Sequence, residues 1–208
     1  MVMRNLVVLF ACTWFLLGGV ASAAGGQVSA PEQLVRQTTR KVLDILNSHQ
    51  AEVKSDPNKV ADLVRDVVLP HFDFVLMSRF VLARHWRTAS QAQQQRFVKE
   101  FQTLLVRTYS KSLSEYSGQK IEFKPMHGDV SRGRVSVGTL IVEGSGNKIP
   151  VDYRLHKVGN EWKVYDVVID GVSLVQNYRS SFGDELRNIS LDRLMDRIAK
   201  RNNQQSGQ

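Results

Sequence analysis

A strand that leads directly into a helix is the feature that most limits how this chain can fold. Residues 162–182 read WKVYDVVIDGVSLVQNYRSSF. Nearly every position of the run 164–169 is an apolar strand former, so we expect other elements to cover both faces of this strand. After Gly171, Ser173 can cap a helix, whose apolar residues recur at steps of three and four: Leu174, Val175, Tyr178 and Phe182. The segment therefore predicts a sheet and a helix joined through apolar surfaces.

Helical periodicity dominates the chain from residue 29 to about residue 117. Residues 29–32, SAPE, form a capping-box pattern with proline in the first turn. The apolar face of this first helix carries Leu34, Thr38, Val42 and Ile45. Residues 56 and 57, Asp-Pro, open a second helix, and Pro70 ends its pattern. A third helix is predicted over residues 74–84, with Trp86 closing it.

The longest predicted helix starts at Ser90, the first residue of the capping-box pattern SQAQ, and ends at Ser117-Gly118. Its apolar residues form one broad stripe: Phe97, Phe101, Leu104, Leu105, Tyr109, Leu113 and Tyr116. A helix with such a stripe must lie on a sheet or on other helices.

From residue 121 to residue 169 the apolar period changes to two. Residues 121–123 and 134–139 read as strands, and residues 143–147 and 158–160 read as turns. We expect an antiparallel meander of about four strands, followed by two helices, the second of which starts at Ser190. Within the strands, proline at 150 predicts an edge or a bulge, and glycine at 138 predicts a sharp bend or a close approach of a ligand.

These patterns together predict an α+β fold, with helices before and after one curved antiparallel sheet. Helices wrapped over the concave face of a bent sheet can leave a dry apolar pocket in place of a filled core. We assign residues 24–201 to a single domain and expect residues 202–208 to form a disordered tail.

Residues 1–23 have the features of a cleaved secretory signal. Arg4 precedes an apolar run over residues 6–20, and Ala21-Ser22-Ala23 supplies the small residues that a signal peptidase accepts. The run is too short to favour a membrane span. Cleavage would remove Cys12, the single cysteine of the chain, so the exported protein would contain no disulfide. The predicted location is the periplasm.

The charge balance of the chain is basic. Cleavage after Ala23 takes away Arg4 alone among the charged residues, which leaves 27 of the 28 basic residues against 20 acidic ones, a formal charge of +7. Such an excess favours contact with lipid headgroups and acidic proteins. The basic residues are scattered rather than clustered, and a secreted protein does not meet the genome, so a nucleic-acid partner is not expected.

No constellation in the sequence predicts catalysis or a metal site. The five histidines, at 49, 71, 85, 127 and 156, have no zinc-binding spacing, and no Gly-x-Ser-x-Gly motif occurs. His71 and Asp73 flank Phe72, and we assign both a structural role. Asp166 and Asp170 are interpreted as cap and turn residues around Gly171. No cofactor is predicted.

The order and approximate spacing of several aromatic and polar residues resemble the periplasmic phospholipid-binding proteins of the Mla lipid-asymmetry system, the toluene-tolerance Ttg2D family. The similarity covers about residues 30–200. The matching positions are Leu69, Pro70, His71, Phe72, Asp73, Trp86, Ser90, Gln93, Phe97, Phe101, Tyr109, Tyr116, Tyr165, Asp166, Asp170, Gly171, Val172 and Ser173.

This resemblance implies a carrier that is not an enzyme. It would bind a diacyl glycerophospholipid and move it between an outer-membrane lipoprotein complex and an inner-membrane ABC transporter complex. It also favours a pocket between the concave sheet face and the covering helices. The residues that we predict to line the pocket are Phe72, Val75, Phe80, Val81, Trp86, Phe101, Leu105, Tyr109, Val135, Val137, Val151, Tyr153, Val164, Val172, Val175 and Tyr178. The predicted basic rim near the headgroup consists of Arg79, Arg84, Arg87 and Arg179.

Two alternatives remain open from the sequence. A small α+β enzyme of the isomerase or hydratase type could use the same pocket, and would need titratable groups that converge inside it. A structural adaptor of the cell envelope would have a filled core and no cavity. Large aromatic residues such as Phe97 and Phe101 serve packed cores more often than ligand walls, so their presence does not separate these cases.

Overall fold

The structure, a computed structural model, describes residues 29–55 and 57–204. The predicted secretory signal lies outside this part of the chain. The helices are α1 (Ala30–Ser48), α2 (Gln50–Ser55), α3 (Pro57–Leu63), α4 (Phe74–Leu82), α5 (Arg84–Thr88), α6 (Gln91–Ser114), α7 (Leu174–Glu185) and α8 (Leu191–Gln204). A π-helical turn over Val64–Val68 and a 3-10 turn over Leu69–His71 connect α3 to the segment before α4.

The strands form one open antiparallel sheet in the order β1-β3-β4-β5-β6, and β2 pairs with β3 beside this path. Their bounds are β1 (Lys120–Phe123), β2 (His127–Asp129), β3 (Arg134–Val142), β4 (Lys148–Val158), β5 (Glu161–Ile169) and β6 (Val172–Ser173). The α+β prediction is confirmed, with six strands where about four were expected. The two extra strands, β2 and β6, are three and two residues long, too short to show a period of two.

The turn at Asp170-Gly171 reverses the chain between β5 and β6. Asp170 has φ 48° and Gly171 has φ 80°, the pair of positive angles that a tight hairpin turn needs. Ser173 then caps α7, because its Oγ accepts a hydrogen bond from the backbone N–H of Gln176 at 3.1 Å. The predicted passage from strand to helix is therefore built by a two-residue turn and a two-residue strand.

The start of α6 is the predicted capping box. The Oγ atom of Ser90 accepts a hydrogen bond from the backbone N–H of Gln93 at 3.2 Å, and Oε1 of Gln93 accepts one from the backbone N–H of Ser90 at 3.0 Å. The resulting helix packs against α8, while α4 packs against α7. The four helices bury a helical core, which we define as Phe74, Met77, Val81, Leu82, Phe97, Phe101, Leu104, Leu105, Val175, Phe182, Leu186, Leu194, Met195 and Ile198.

A second group of buried residues lies on the sheet. This sheet core consists of Val35, Val135, Val137, Val151, Leu155, Trp162, Val164, Val167 and Leu174. Val35 comes from α1 and Leu174 from α7, so both of these helices cover strand residues. Tyr109 and Phe72 pack against the helical core and the sheet core alike.

Two predicted boundaries need correction. Trp86 does not close the third helix, because α4 ends at Leu82 and Trp86 lies within the separate α5. The predicted tail begins too early, because α8 continues through Gln204. Asn202 is buried there, with Nδ2 donating to the backbone carbonyl of Glu100 at 3.1 Å.

The structure also differs from the predictions made for two residues of the sheet, Pro150 and Gly138. Pro150 is neither on an edge strand nor at a bulge; it lies in β4 opposite Leu140, and the register shift between β4 and β5 falls between Arg154 and Leu155. Other side chains lie close to Gly138, since an added Cβ would be 2.8 Å from Oδ1 of Asp152.

Candidate functional site

An apolar cavity of about 450 Å³ lies between α1, the C-terminal end of α6 and the sheet. Its helical wall comes from α1 and contains Leu34, Val35, Thr38, Thr39, Val42, Leu43 and Leu46. The sheet and the turn after β3 supply Ile121, Thr139, Ile141, Glu143, Ile149, Tyr153 and Val164. The segment before α4 adds Val68, His71 and Phe72, and the end of α6 with the following loop adds Ser112, Leu113, Glu115, Tyr116 and Gln119. The volume is within the range of about 300–1,000 Å³ that is typical of small-molecule sites.

Most of the cavity wall cannot hydrogen-bond to a ligand. Burial shifts two titratable groups of the wall toward their neutral forms. Burial lowers the pKa of His71, with nearby Lys163 acting in the same direction, and burial raises the pKa of the Tyr153 phenol. A neutral imidazole and a neutral phenol are compatible with an apolar ligand. In residues 29–55 and 57–204, no group of three or more His, Cys, Asp or Glu side chains could hold a metal ion.

Phe72 is held in the cavity wall by backbone pairing. It forms an isolated parallel bridge with Val164 of β5, and the backbone N–H of Asp73 donates to the carbonyl of Val164 at 2.9 Å. The Phe72 ring stacks on Phe74, with centroids 5.8 Å apart. This bridge attaches the start of α4 to the sheet beside the cavity.

Asp73 completes this attachment. Its Oδ1 atom accepts from the backbone N–H of Leu76 at 2.8 Å and so caps α4. Its Oδ2 atom accepts from Nε2 of His156 in β4 at 3.0 Å. The structural role predicted for Asp73 is confirmed, whereas His71 lies in the cavity wall.

Three of the predicted pocket residues line this cavity: Phe72, Tyr153 and Val164. Val135, Val137 and Val151 belong to the sheet core beside it, and Val81, Phe101, Leu105 and Val175 belong to the helical core. Phe80, Trp86, Tyr109 and Tyr178 are partly buried against the helical core. A bound lipid's contacts with these residues stay a prediction.

Two other predicted pocket residues are at the surface. Val75 is 57% exposed on α4, and Val172 is 56% exposed in β6. Val75 faces away from the buried side of α4, which is formed by Phe74, Met77, Val81 and Leu82. A run of consecutive apolar residues around a short helix gives no period from which its exposed face could be predicted.

The predicted basic rim does not surround the apolar cavity. Arg84, Arg87 and Arg179 line a different depression, between α5 and α7, and Arg79 is exposed on α4. The lining of the apolar cavity contains no arginine or lysine. These arginines therefore form no rim of this cavity, because the packing of α4 on α7 places Arg84, Arg87 and Arg179 at the other depression.

Sequence reasoning missed the α1 wall of the cavity. The predicted pocket residues include none from α1, although the face of α1 that meets the cavity carries two adjacent polar residues, Thr38 and Thr39, which a filled core rarely needs. Adjacent threonines on the apolar face of a helix were the available signal.

Within the described ranges, none of the helices is both long and apolar enough to cross a bilayer.

A sequence model of the MlaC protein family matches residues 36–200.

Relatives with known names agree with this match. The toluene tolerance protein Ttg2D of Pseudomonas putida is 31% identical over 185 residues, which cover 88% of this chain and 82% of that protein. The intermembrane phospholipid transport system binding protein MlaC of Haemophilus influenzae is 27% identical over 195 residues, 92% of this chain and 89% of that protein.

A solved structure has the same architecture. The phospholipid-binding protein from Ralstonia solanacearum, determined in complex with a phospholipid, superposes with a TM-score of 0.78 at 28% identity, over 86% of this chain and 99% of that one. The fold, the family match and the sequence identity to these relatives agree along nearly the whole described chain. The chain therefore belongs to the MlaC family.

Proposed function

We propose that this protein is a periplasmic phospholipid carrier that binds a diacyl glycerophospholipid in the cavity between α1 and the sheet. It shuttles lipid between an outer-membrane lipoprotein complex and an inner-membrane ABC transporter complex and catalyses no reaction. The observation that carries the proposal is the apolar lining of the cavity, together with the phospholipid in the related Ralstonia solanacearum structure.

The energetics of lipid transfer suit such a lining. Two acyl chains of about thirty methylenes gain roughly 24 kcal/mol on leaving water, at about 0.8 kcal/mol per methylene. A carrier must therefore keep the chains out of water. The exchange that matters is between cavity and bilayer, and the chains are dry in both, so the net free energy can be small. Reversible loading needs no catalytic group, only a dry wall.

The first experiment identifies the ligand. Protein purified from the periplasm without detergent is extracted with organic solvent, and the extract is analysed by mass spectrometry. We expect phospholipid at one molecule or more per protein. Protein that carries no phospholipid after this treatment contradicts the carrier proposal.

A pair of variants ties the lipid to the cavity. Leu43→Trp places a bulky indole ring in the α1 wall and should lower the phospholipid content. The control Val130→Trp puts the same ring on the surface, where the native side chain is 41% exposed, and should leave the lipid content unchanged. Equal lipid content in the two variants would place the lipid outside this cavity.

Shuttling requires a separate measurement. Donor vesicles that carry the outer-membrane complex and acceptor vesicles that carry the transporter complex are mixed with a fluorescent phosphatidylethanolamine in the donors. The protein should accelerate lipid transfer, and Leu43→Trp should not. Lipid binding without accelerated transfer would leave a phospholipid-binding protein that is not a shuttle.

A further inference from the structure

The depression between α5 and α7 is a second concave site, and it shares no lining residue with the apolar cavity. Its volume is about 770 Å³. We call it the arginine groove. One wall comes from the end of α4 and from α5, the other from α7 and the turn after it.

Positive charge is concentrated in the arginine groove. Arg84 and Arg87 lie on the α5 wall, Arg179 lies on α7, and Arg187 follows α7. The lining contains one carboxylate, Asp184, whose Oδ1 is 3.5 Å from Nη2 of Arg187. Four positive charges and one negative charge meet there. Elsewhere in the described chain no carboxylate lies within ion-pair distance of Arg84, Arg87 or Arg179.

The stability of the fold does not explain this clustering of arginines. Cations beside the C-terminal end of α4 interact favourably with the helix dipole, which accounts for Arg84. It does not account for Arg179, in the middle of α7, or for Arg87, which is a full turn farther along α5. Like charges on facing walls repel each other, so the arrangement destabilises the folded state unless an anion occupies the groove.

The backbone of the groove is also strained. Ala83, between α4 and α5, has φ 50° and ψ −111°, angles that an L-residue rarely adopts. This conformation turns the chain so that α5 faces α7. Val81 and Leu82, which are 2% and 1% exposed, also contribute to the lining. An added Cβ at Gly183, on the α7 wall, would meet no atom within 4 Å, so the groove is open above that residue.

We propose that the arginine groove binds an acidic segment of a partner protein, with partner carboxylates between Arg87 and Arg179. Guanidinium groups pair with carboxylates in a two-pronged geometry, and two facing walls can hold a chain between them. A bilayer is less well matched, because a planar surface touches only the rims of a concave site.

A labelled peptide tests the proposal. The probe is a fluorescein-labelled peptide of sequence DEELDELE, and its binding to the full chain is followed by fluorescence anisotropy. The double variant Arg87→Gln with Arg179→Gln should weaken binding about tenfold, the loss expected from two partly exposed ion pairs. The double variant Arg193→Gln with Arg201→Gln removes the same charge from exposed positions of α8 and should weaken it less than about twofold.

A second pair of variants tests the groove without any change of charge. Gly183→Trp fills the open space on the α7 wall and should abolish peptide binding. Ser181→Trp places the same ring on α7 at an exposed position outside the lining and should leave binding intact. Thermal melts and phospholipid content should match the wild type in all four variants, which separates this test from that of the carrier proposal.

Three results would overturn the proposal. Equal weakening by the two arginine double variants would show that only net charge attracts the peptide. Unchanged binding by Gly183→Trp would place the peptide elsewhere. Loss of binding to phosphatidylglycerol vesicles in the groove variants, with peptide binding unchanged, would assign the groove to the membrane.

Discussion

The carboxylate of Asp166 accepts a hydrogen bond from the backbone N–H of Val175, with 3.1 Å between Oδ1 and N. Asp166 lies in β5, and Val175 lies in the first turn of α7. The other oxygen accepts from Ser173 Oγ at 2.7 Å and from Arg154 Nη1 at 3.0 Å. One side chain, 3% exposed, therefore joins two strands to the start of a helix. The cap role predicted for Asp166 is confirmed.

Asp166→Ala should be among the most destabilising single changes in the chain. It leaves the Val175 N–H and the Ser173 hydroxyl without their acceptor and removes a negative charge at the N-terminus of α7. We expect a loss of about 3 kcal/mol in the free energy of unfolding, the combined cost of leaving two donors at a buried site without their acceptor. Urea denaturation followed by circular dichroism measures it. Asp44→Ala, at an exposed site on α1, is the control, and a comparable loss there would refute the special role of Asp166.

Ala83→Gly should stabilise the protein. The angles φ 50° and ψ −111° cost an alanine about 1–3 kcal/mol, whereas glycine adopts them freely and loses about 0.5–1 kcal/mol through its more flexible unfolded chain. The net gain in unfolding free energy should be about 1 kcal/mol. Ala199→Gly, in α8, provides the contrast and should lose about 1 kcal/mol. A stability loss at both positions would mean that Ala83 is not strained.

Tyr109 should make stability depend on pH in the alkaline range. Burial raises the pKa of its phenol from 10.0 to about 12, with Tyr178 nearby adding to the shift. The unfolded chain ionises first, near 10.0, so the folded state keeps a proton that the unfolded state has lost. Stability from this group is complete below pH 10.0 and decreases as the pH rises toward about 12. Tyr109→Phe should reduce that decrease, measured by denaturant midpoints over this pH range.

The periodic parts of the fold could be predicted from the sequence because their pattern is local. The stripe from Phe97 to Tyr109 predicted a long helix, and the alternation around Val135 and Val137 predicted a strand. The site could not be predicted in the same way. An apolar stripe looks the same whether it meets a cavity or another side chain, so Phe101 was assigned to the pocket although it packs edge to face on Tyr178, with centroids 5.2 Å apart.

The clustering of the arginines could not be predicted from the sequence either. Arg87 and Arg179 are far apart along the chain and become neighbours only through the packing of α4 on α7. The sequence analysis expected these arginines at the mouth of the lipid pocket, whereas the structure places them in a separate groove. Pairings of this kind depend on tertiary contacts, which no local pattern encodes.

Enlarging Val151 tests how far the lipid cavity extends into the sheet. Val137, Val151 and Val164 are among the residues that the sequence predicts to line the pocket, and on that prediction alone Val151→Trp would expel lipid and leave the fold intact. The structure gives a different expectation. Val151 is 5% exposed within the sheet core and lies opposite Thr139, which lines the cavity, but Val151 itself does not.

Overpacking a filled core costs about 1–3 kcal/mol. We therefore expect Val151→Trp to lower the melting temperature of lipid-free protein, and Leu43→Trp in the cavity wall to change it little. The lipid must be removed before the comparison, because a ligand raises apparent stability by mass action. If Val151→Trp instead releases lipid while the lipid-free protein melts like the wild type, Val151 faces spare volume. The cavity would then extend beyond its present lining into the sheet core around Val151.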